Sequence, residues 1–271
     1  MKRKGIETVA PSLVHATNKR GWELAAKGRY TDQLSDRANA LRNGTLSLDR
    51  IEMKLIGELL PSIRSAVQLQ CADGRDILSI AKLGIPHVMG IDISNEMVAL
   101  ARELARQASI QASFVVSDVI DAPTVIDDTF DLVYTGKGSL MWIFDLQLWA
   151  QTISELLTPG GHLVLFDLHP AVTLFRQDTT TLTPTGIDYF DYINASKTWP
   201  ESYVGKLHAQ DDFPKFEHLW TIGDIVNSLI RTGLQITHLG EHSEAYWTAF
   251  PKLPEEESRK LPKTLSLVAR K

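Results

Sequence analysis

The sequence has few of the features that mark secreted, membrane or nucleic-acid-binding proteins. Its 271 residues include one cysteine, Cys71, which excludes an internal disulfide and a cysteine-based metal site. No apolar stretch approaches the roughly 20 residues of a membrane span. The net charge is −5, and no basic aromatic stripe indicates nucleic acid. We therefore expect a cytoplasmic protein that needs no metal and binds neither membrane nor nucleic acid.

From residue 65 onward, apolar strand patterns alternate with helical patterns. This alternation predicts βαβ units with right-handed crossovers, and a parallel sheet that helices cover on both faces. The predicted strands are 65–70, 87–91, 112–117, 130–135, 162–167, 234–239 and 265–270. The predicted helices are 75–84, 95–108, 145–157 and 221–232.

The segments before residue 65 and after residue 170 indicate further elements that are added to this α/β domain. Apolar spacing predicts helices at 18–27 and 47–60, and the polar residues 31–46 between them predict a solvated connection or a mobile flap. Segments 188–195 and 202–209 are candidates for an antiparallel hairpin. We therefore expect a helical N-terminal preface or lid (1–60), an α/β core (61–170), an inserted β-rich cap (171–219) and a C-terminal part that completes the sheet (220–271).

The stretch from Ser65 to Ser94 predicts half of a nucleotide-binding unit: strand, tight turn, helix, and a second strand that ends on an acid. A dinucleotide-binding fingerprint needs G-x-G-x-x-G, and those three positions are Gln70, Ala72 and Arg75. The sequence therefore disfavours a pyrophosphate ligand. Because a side chain is strained at positive φ, we expect Gly74 to supply any left-handed step of this turn.

Five motifs in order give the chain a family likeness: VQLQCADGRDILSIAKLG, VMGIDIS, FVVSDV, FDLVYTGKGSLMW and LLTPGGHLVLFDLHP. Over residues 18–271 it resembles the class I S-adenosylmethionine-dependent methyltransferases, in particular a bacterial small-molecule branch. The resemblance implies a Rossmann-like seven-stranded sheet with its last strand antiparallel, and S-adenosylmethionine as cofactor. The family usually has an acid where this chain has Gln68, and glycines where it has Gln70 and Ala72.

The resemblance and the residue types together indicate a cofactor site. A carboxylate after the second strand suits a ribose diol, although Asp92 there would also favour the dipole of the next helix. Asp118 suits the adenine amino group, or alternatively caps a loop. Lys137 is expected to point to solvent or to meet an anionic substrate. The predicted cofactor-binding residues are Gln70, Ala72, Asp73, Gly74, Asp92, Ile93, Met97, Asp118, Val119, Thr135, Gly136 and Tyr30.

Side chains around the reacting centre follow less directly from the sequence. His169 ends the fifth strand, and its unperturbed pKa near ~6.5 suits a base, although packing would equally explain it. Tyr189 and Tyr192 of the predicted cap are the other candidates for catalysis. The predicted substrate pocket consists of Ser139, Trp142, His218 and Trp247.

The leading functional hypothesis is transfer of a methyl group to O, N or C of a small molecule by in-line displacement. A second hypothesis keeps the fold but makes the cofactor the sole substrate, so that cyclisation or lysis releases methylthioadenosine. A third is a cofactor-binding module without catalysis.

Overall fold

The computed structural model describes residues 11–190, 193–196 and 214–271. These residues form a seven-stranded sheet and a separate two-stranded sheet. In chain order the strands are β1 (Ser65–Leu69), β2 (His87–Asp92), β3 (Ser113–Val116), β4 (Phe130–Gly136), β5 (Leu157–Leu168), β6 (Ile193–Ser196), β7 (Lys215–His218), β8 (Gln235–His242) and β9 (Thr264–Arg270).

The strand order of the main sheet is β3-β2-β1-β4-β5-β9-β8. Strands β1 to β5 pair in parallel, whereas β9 pairs antiparallel with both β5 and β8. Helical crossovers explain the parallel half, because parallel neighbours cannot be joined by a tight hairpin. The predicted Rossmann-like sheet with an antiparallel last strand is therefore confirmed.

The helices lie between the strands and before β1. In chain order they are α1 (Pro11–Ala25), α2 (Leu34–Arg42), α3 (Arg50–Leu59), α4 (Arg75–Lys82), α5 (Asn95–Ala108), α6 (Ala122–Val125), α7 (Leu146–Leu156), α8 (Ile222–Arg231) and α9 (Glu255–Ser258), and a π-helical turn (Ala26–Tyr30) follows α1. None of the described helices has the length and apolar character needed to cross a bilayer.

One expectation for the N-terminal part was wrong. The polar residues 31–46 do not form an irregular connection, because α2 occupies the middle of this segment. This helix has few apolar residues, but two of them, Ala38 and Leu41, are buried in the core beside α5. Packing against a neighbouring helix thus stabilises a helix whose own sequence is mostly polar.

Two apolar layers enclose the sheet. Val67 and Leu69 of β1 pack in one layer with α7, which contributes the fully buried Trp149. On the other face Ala66 packs with residues of α3, α4 and α5, such as Ile77. Alternate residues of a strand point to opposite faces, so one short strand serves both layers. The two layers hold the strands in place and so fix the positions of their carboxyl ends.

The small sheet pairs β6 with β7 antiparallel, Ile193 opposite His218. The predicted hairpin partner at 202–209 lies outside the described residues. Segment 188–190, the start of the other predicted hairpin strand, has no strand structure.

Candidate functional site

Residues at the carboxyl ends of β1 to β4 line one cavity. The strand order changes direction between β1 and β4, because β2 and β3 continue on one side and β5 on the other. Parallel sheets bind ligands at such switch points. Eleven of the predicted site residues line this cavity: Tyr30, Gln70, Ala72, Asp73, Asp92, Ile93, Asp118, Val119, Gly136, Ser139 and Trp142.

The turn after β1 contains three left-handed residues, which corrects the expectation that Gly74 alone supplies them. Gln70 has φ of +54° and Ala72 has φ of +47°, beside +76° for Gly74. A hydrogen bond to a distant residue stabilises this strained turn: the backbone N–H of Cys71 donates to the carbonyl of Ile91 at 2.8 Å. Strained backbone of this kind concentrates at ligand sites, where surrounding contacts enforce it.

Asp92 joins this turn to the end of β2. Its carboxylate accepts the N–H of Ala72 at 2.8 Å and that of Ser94 at 2.9 Å. Burial raises the pKa of Asp92 to about 6, although these donors oppose the shift. The Ser94 hydroxyl in turn caps α5, because it accepts the N–H of Met97 at 3.2 Å. Asp92 is thus a fixed acceptor on the cavity wall.

Asp118 lies after β3 and is held by a residue that the sequence reading missed. His15 of α1 donates from Nδ1 to the Asp118 carboxylate at 2.7 Å, and its Nε2 accepts the backbone N–H of Phe144 at 3.3 Å. Because Nε2 accepts a hydrogen bond, it carries no proton, and the imidazole proton is therefore on Nδ1. Both nitrogens of this buried imidazole are therefore engaged.

One face of α1 forms the roof of the cavity. Asn18 donates to the carbonyl of Phe216 at 2.8 Å and accepts the N–H of the same residue at 2.9 Å, so it caps the backbone of β7. Trp22 packs edge-on against Trp142 with ring centroids 5.2 Å apart. The spacing of three and four residues places His15, Asn18 and Trp22 on the same face of α1. This spacing is a sequence signal that could have indicated that they act together.

Arg37 of α2 links two predicted cofactor residues. Its guanidinium forms an ion pair with the buried Asp73 and lies over the ring of Tyr30, 4.6 Å from the centroid. The carboxylate of Asp73 therefore has a cation from the protein itself.

Lys137 does not point to solvent, as we had expected. Its ammonium lies 3.1 Å from Glu52 and 3.2 Å from Asp76, and it donates to the carbonyl of Ser47 at 2.7 Å. Burial disfavours the charged amine, but the two carboxylates outweigh it and raise the pKa of Lys137. Burial, partly offset by Lys137, raises the pKa of Glu52 to about 7. Lys137 thus lines the cavity as part of an ion cluster.

Asp167 at the end of β5 shapes the loop after β4. Its carboxylate accepts the backbone N–H groups of Ser139 and Leu140, both at 3.0 Å, and the Ser139 hydroxyl at 2.9 Å. It also accepts the N–H of Gly138 at 2.5 Å. The loop that carries Ser139 to the cavity is therefore built around one buried acid.

Three predicted cofactor residues lie behind the cavity wall rather than on it. Gly74 is the N-cap of α4, and a Cβ there would meet the ring of Phe114 at 2.8 Å. Met97 is fully buried beneath the wall, beside Trp22 and Trp142. Thr135 is also fully buried, and its hydroxyl lies 3.0 Å from that of Ser139.

The structure does not bring His169 to this cavity. Its Nδ1 accepts the N–H of Ala171 at 3.1 Å, and its Nε2 lies 2.8 Å from Glu241. Burial lowers the pKa of His169, although Glu241 opposes this. Its ring is therefore engaged at both nitrogens away from the cavity.

The other predicted pocket residues also lie elsewhere. Tyr189 packs edge-on against Phe190, and Trp247 donates to Gln177 at 3.3 Å. His218 stacks on Trp220 beside a smaller adjoining cavity. Tyr192 lies outside the described residues. The cavity wall includes further residues that the sequence did not assign to the site: His15, Asn18, Trp22, Gln68, Cys71, Arg75, Asp76, Lys137, Gly138 and Ile143.

Two histidines, His238 and His242, lie four residues apart in the chain. His238 and His242 both contact the Ser266 hydroxyl, at 2.9 and 2.7 Å. They lie on β8, at the opposite end of the sheet from β3, and do not line the cavity.

Comparison with known proteins gives consistent matches. Residues 65–209 match a family model described as a methyltransferase domain. An O-methyltransferase from Aspergillus nomiae is 30% identical over 117 residues, which is 42% of this chain and 51% of that protein. The chain thus spans about half the length of this curated relative.

Solved structures share the fold over most of the chain. An S-adenosylmethionine-dependent methyltransferase from Mesorhizobium loti is 26% identical with a TM-score of 0.57, covering 81% of this chain and 97% of its own. The 4+2 cyclase SpnF is 18% identical with a TM-score of 0.55, covering 81% of this chain and 79% of its own, and shows the fold alone.

Proposed function

The chain belongs to the methyltransferase family whose domain it matches, with S-adenosylmethionine as cofactor, and we propose that it methylates an oxygen atom of a small-molecule acceptor. The observation that carries this proposal is one cavity in which the acids after β2 and β3, the strained turn after β1 and the loop after β4 meet. The name of the Aspergillus relative supports oxygen as the accepting atom.

The side chains present fit the cofactor. Asp92 offers a fixed carboxylate for two ribose hydroxyls, and Asp118 with Val119 suits the edge of an adenine ring. Gln70 carries a buried amide oxygen that no described residue satisfies, in the wall at the end of β1. An orphaned acceptor of this kind supports a ligand with N–H donors.

The protein has to position the acceptor and exclude water, because bound S-adenosylmethionine supplies a methyl group already activated by a positive sulfur. Trp22, Trp142 and Ile143 give the cavity an apolar wall for that purpose. A lid role for residues 1–60, a core at 61–170, a substrate cap at 171–219 and completion of the sheet by 220–271 are parts of the same proposal.

The state of the cavity acids supports an acceptor that ionises easily. Among the described residues of the wall, Asp73 is paired with Arg37, Asp76 with Lys137 and Asp118 with His15. These contacts engage three of the wall carboxylates, and our proposal assigns the fourth, Asp92, to the ribose, so no wall acid is left to act as a base. We therefore favour a phenol, enol or carboxylic acid over an aliphatic alcohol. Tyr192 remains a prediction as an additional catalytic residue.

The fold alone does not decide the reaction, since the cyclase SpnF shares it. The test is incubation of the purified protein with S-adenosylmethionine, alone and with panels of phenols, carboxylic acids and amines, followed by mass spectrometry. We expect S-adenosylhomocysteine and methylated acceptor in equal amounts, formed only with an oxygen acceptor. The Asp92→Ala variant serves as the control with weakened cofactor binding.

Two other outcomes would overturn the proposal. Methylthioadenosine formed from the cofactor alone would indicate the cyclising or lyase-type alternative. Tight cofactor binding without turnover across all panels would indicate a non-catalytic module.

A further inference from the structure

Two glutamines at the end of β1 carry buried amide oxygens that no described residue satisfies. These atoms are Oε1 of Gln68 and Oε1 of Gln70, and both residues line the cavity. Gln68 is only 3% exposed. Native proteins satisfy nearly all buried polar atoms, so two orphaned acceptors in one cavity wall are free to accept hydrogen bonds from a bound molecule.

The orientation of the Gln70 amide is fixed by its neighbour. Its Nε2 donates to the backbone carbonyl of Ser139 at 3.0 Å. Only the nitrogen of an amide can donate to a carbonyl, so the reversed orientation would bring two oxygens together. The Gln70 oxygen therefore points away from Ser139.

Two carboxylates in this part of the wall already have cationic partners. Asp73 has Arg37 as its partner, and Asp76 has Lys137. At position 68 this chain has an amide, which carries no charge. The two glutamines are thus neutral acceptors beside the paired carboxylates of Asp73 and Asp76.

We propose that Gln68 and Gln70 form a neutral pair of acceptors for the ammonium group of the cofactor, and thereby determine which cofactor analogues the site accepts. The inference rests on the proposed function only in that S-adenosylmethionine binds in this cavity. An ammonium group has three N–H donors and needs several acceptors once it leaves water. Amide oxygens meet that need without adding a further charge to a wall that already holds several acids.

The test is a thermodynamic cycle between side chain and ligand, measured by calorimetry. Wild type, Gln68→Met and Gln70→Met are each titrated with S-adenosylhomocysteine and with its deaminated analogue, which lacks only the amine. We expect deamination to weaken binding to wild type at least tenfold. Each substitution should weaken S-adenosylhomocysteine binding by a similar factor and leave binding of the deaminated analogue within twofold of wild type.

Gln111→Met is the matched control, because Gln111 is exposed and does not line the cavity. It should change neither affinity. Equal affinity of wild type for both ligands, or equal losses for both ligands in the variants, would overturn the inference.

A melting experiment separates ligand recognition from a structural role. Because Gln68→Met removes a buried unsatisfied acceptor, the ligand-free variant should melt at or above the wild-type temperature. A lower melting temperature together with weaker binding of both ligands would mean that Gln68 is structural. Amine-dependent binding without any methyl transfer would overturn the proposed function and leave this inference standing.

Discussion

The backbone N–H of Ala72 donates to the carboxylate of Asp92 at 2.8 Å, so the turn after β1 and the end of β2 are joined by the acid itself. The bond helps to hold Ala72 at φ of +47°, a value that alanine rarely adopts. Asp92 is therefore oriented by the protein before any ligand contacts it. Such preorganisation lowers the entropy lost when a ligand binds.

We first predict that Asp92 makes stability fall as the pH rises. Burial raises the pKa of its carboxyl to about 6, above its value in the unfolded chain. The folded state therefore favours the protonated acid, and this contribution is present below about pH 4 and is lost as the pH rises through about 6. Relative to Asp92→Asn, the wild-type free energy of unfolding should fall by up to about 3 kcal/mol between pH 4 and 7. Urea denaturation of both proteins measures the difference, and parallel pH curves would contradict it.

Cofactor binding should show the opposite pH dependence. If the Asp92 carboxylate accepts the ribose hydroxyls, ionisation strengthens binding, and the affinity of wild type for S-adenosylhomocysteine should rise between pH 5 and 7. The Asp92→Asn variant should bind at least tenfold more weakly, with less change over this range. Calorimetry at three pH values measures both, and a wild-type affinity that falls with pH would count against Asp92 as the ribose acceptor.

We also predict that Lys137 is needed for stability because it neutralises two buried acids. Lys137→Met removes the ammonium that pairs with both Glu52 and Asp76, and we expect a loss of about 3–5 kcal/mol. The loss should be larger at pH 8 than at pH 6, because Glu52, with a pKa of about 7, takes up a proton at the lower pH. Denaturant unfolding at both pH values measures it.

Two further variants test the reason for this loss. Adding Glu52→Gln to Lys137→Met should restore part of the stability at pH 8, since one unpaired charge is removed. Lys27→Met, at an ion pair whose lysine is 62% exposed, should change stability by less than about 0.5 kcal/mol. If Lys137→Met behaves like Lys27→Met, the ion cluster does not contribute as we infer.

The sequence predicted what depends on local pattern. The periodicity of a strand or a helix can be recognised within a short stretch of sequence. Asp92 and Ser94 could be recognised in the same way, because they lie at the end of a predicted strand and just before a helix. The antiparallel last strand came from the family likeness and not from periodicity. The fold and the acids at the strand ends could therefore be predicted from the sequence.

The rest depends on partners far away in the chain. His15 and Asp118 are 103 residues apart, and nothing near either residue indicates the other. Lys137 was expected to contact solvent or an anionic substrate, because its partner Glu52 belongs to a helix before the sheet. Gln70 was expected to avoid positive φ, but contacts between segments outweigh the preference of a single residue.

A further prediction concerns the loop that Asp167 organises. Asp167→Asn keeps one accepting oxygen but turns an NH₂ group toward the N–H groups of Ser139 and Leu140. We expect a loss of about 2–3 kcal/mol of stability, because donors in the loop lose a charged acceptor. We also expect the KM for the acceptor to rise more than the affinity for S-adenosylhomocysteine falls. Asp178→Asn, at an exposed ion pair, is the control. An unchanged KM would mean that the loop does not contact the acceptor.

The last prediction concerns the roof formed by α1. Asn18→Ala removes the donor and the acceptor that hold α1 to the backbone of Phe216. If α1 must leave for the cofactor to exchange, weakening this contact should speed dissociation of S-adenosylhomocysteine by roughly tenfold, the effect of one to two hydrogen bonds. Stopped-flow displacement measures the rate. Thr17→Ala is the matched control, because the Thr17 hydroxyl donates to the carbonyl of Leu13 within the same helix. Equal dissociation rates in Asn18→Ala and Thr17→Ala would show that α1 does not limit exchange.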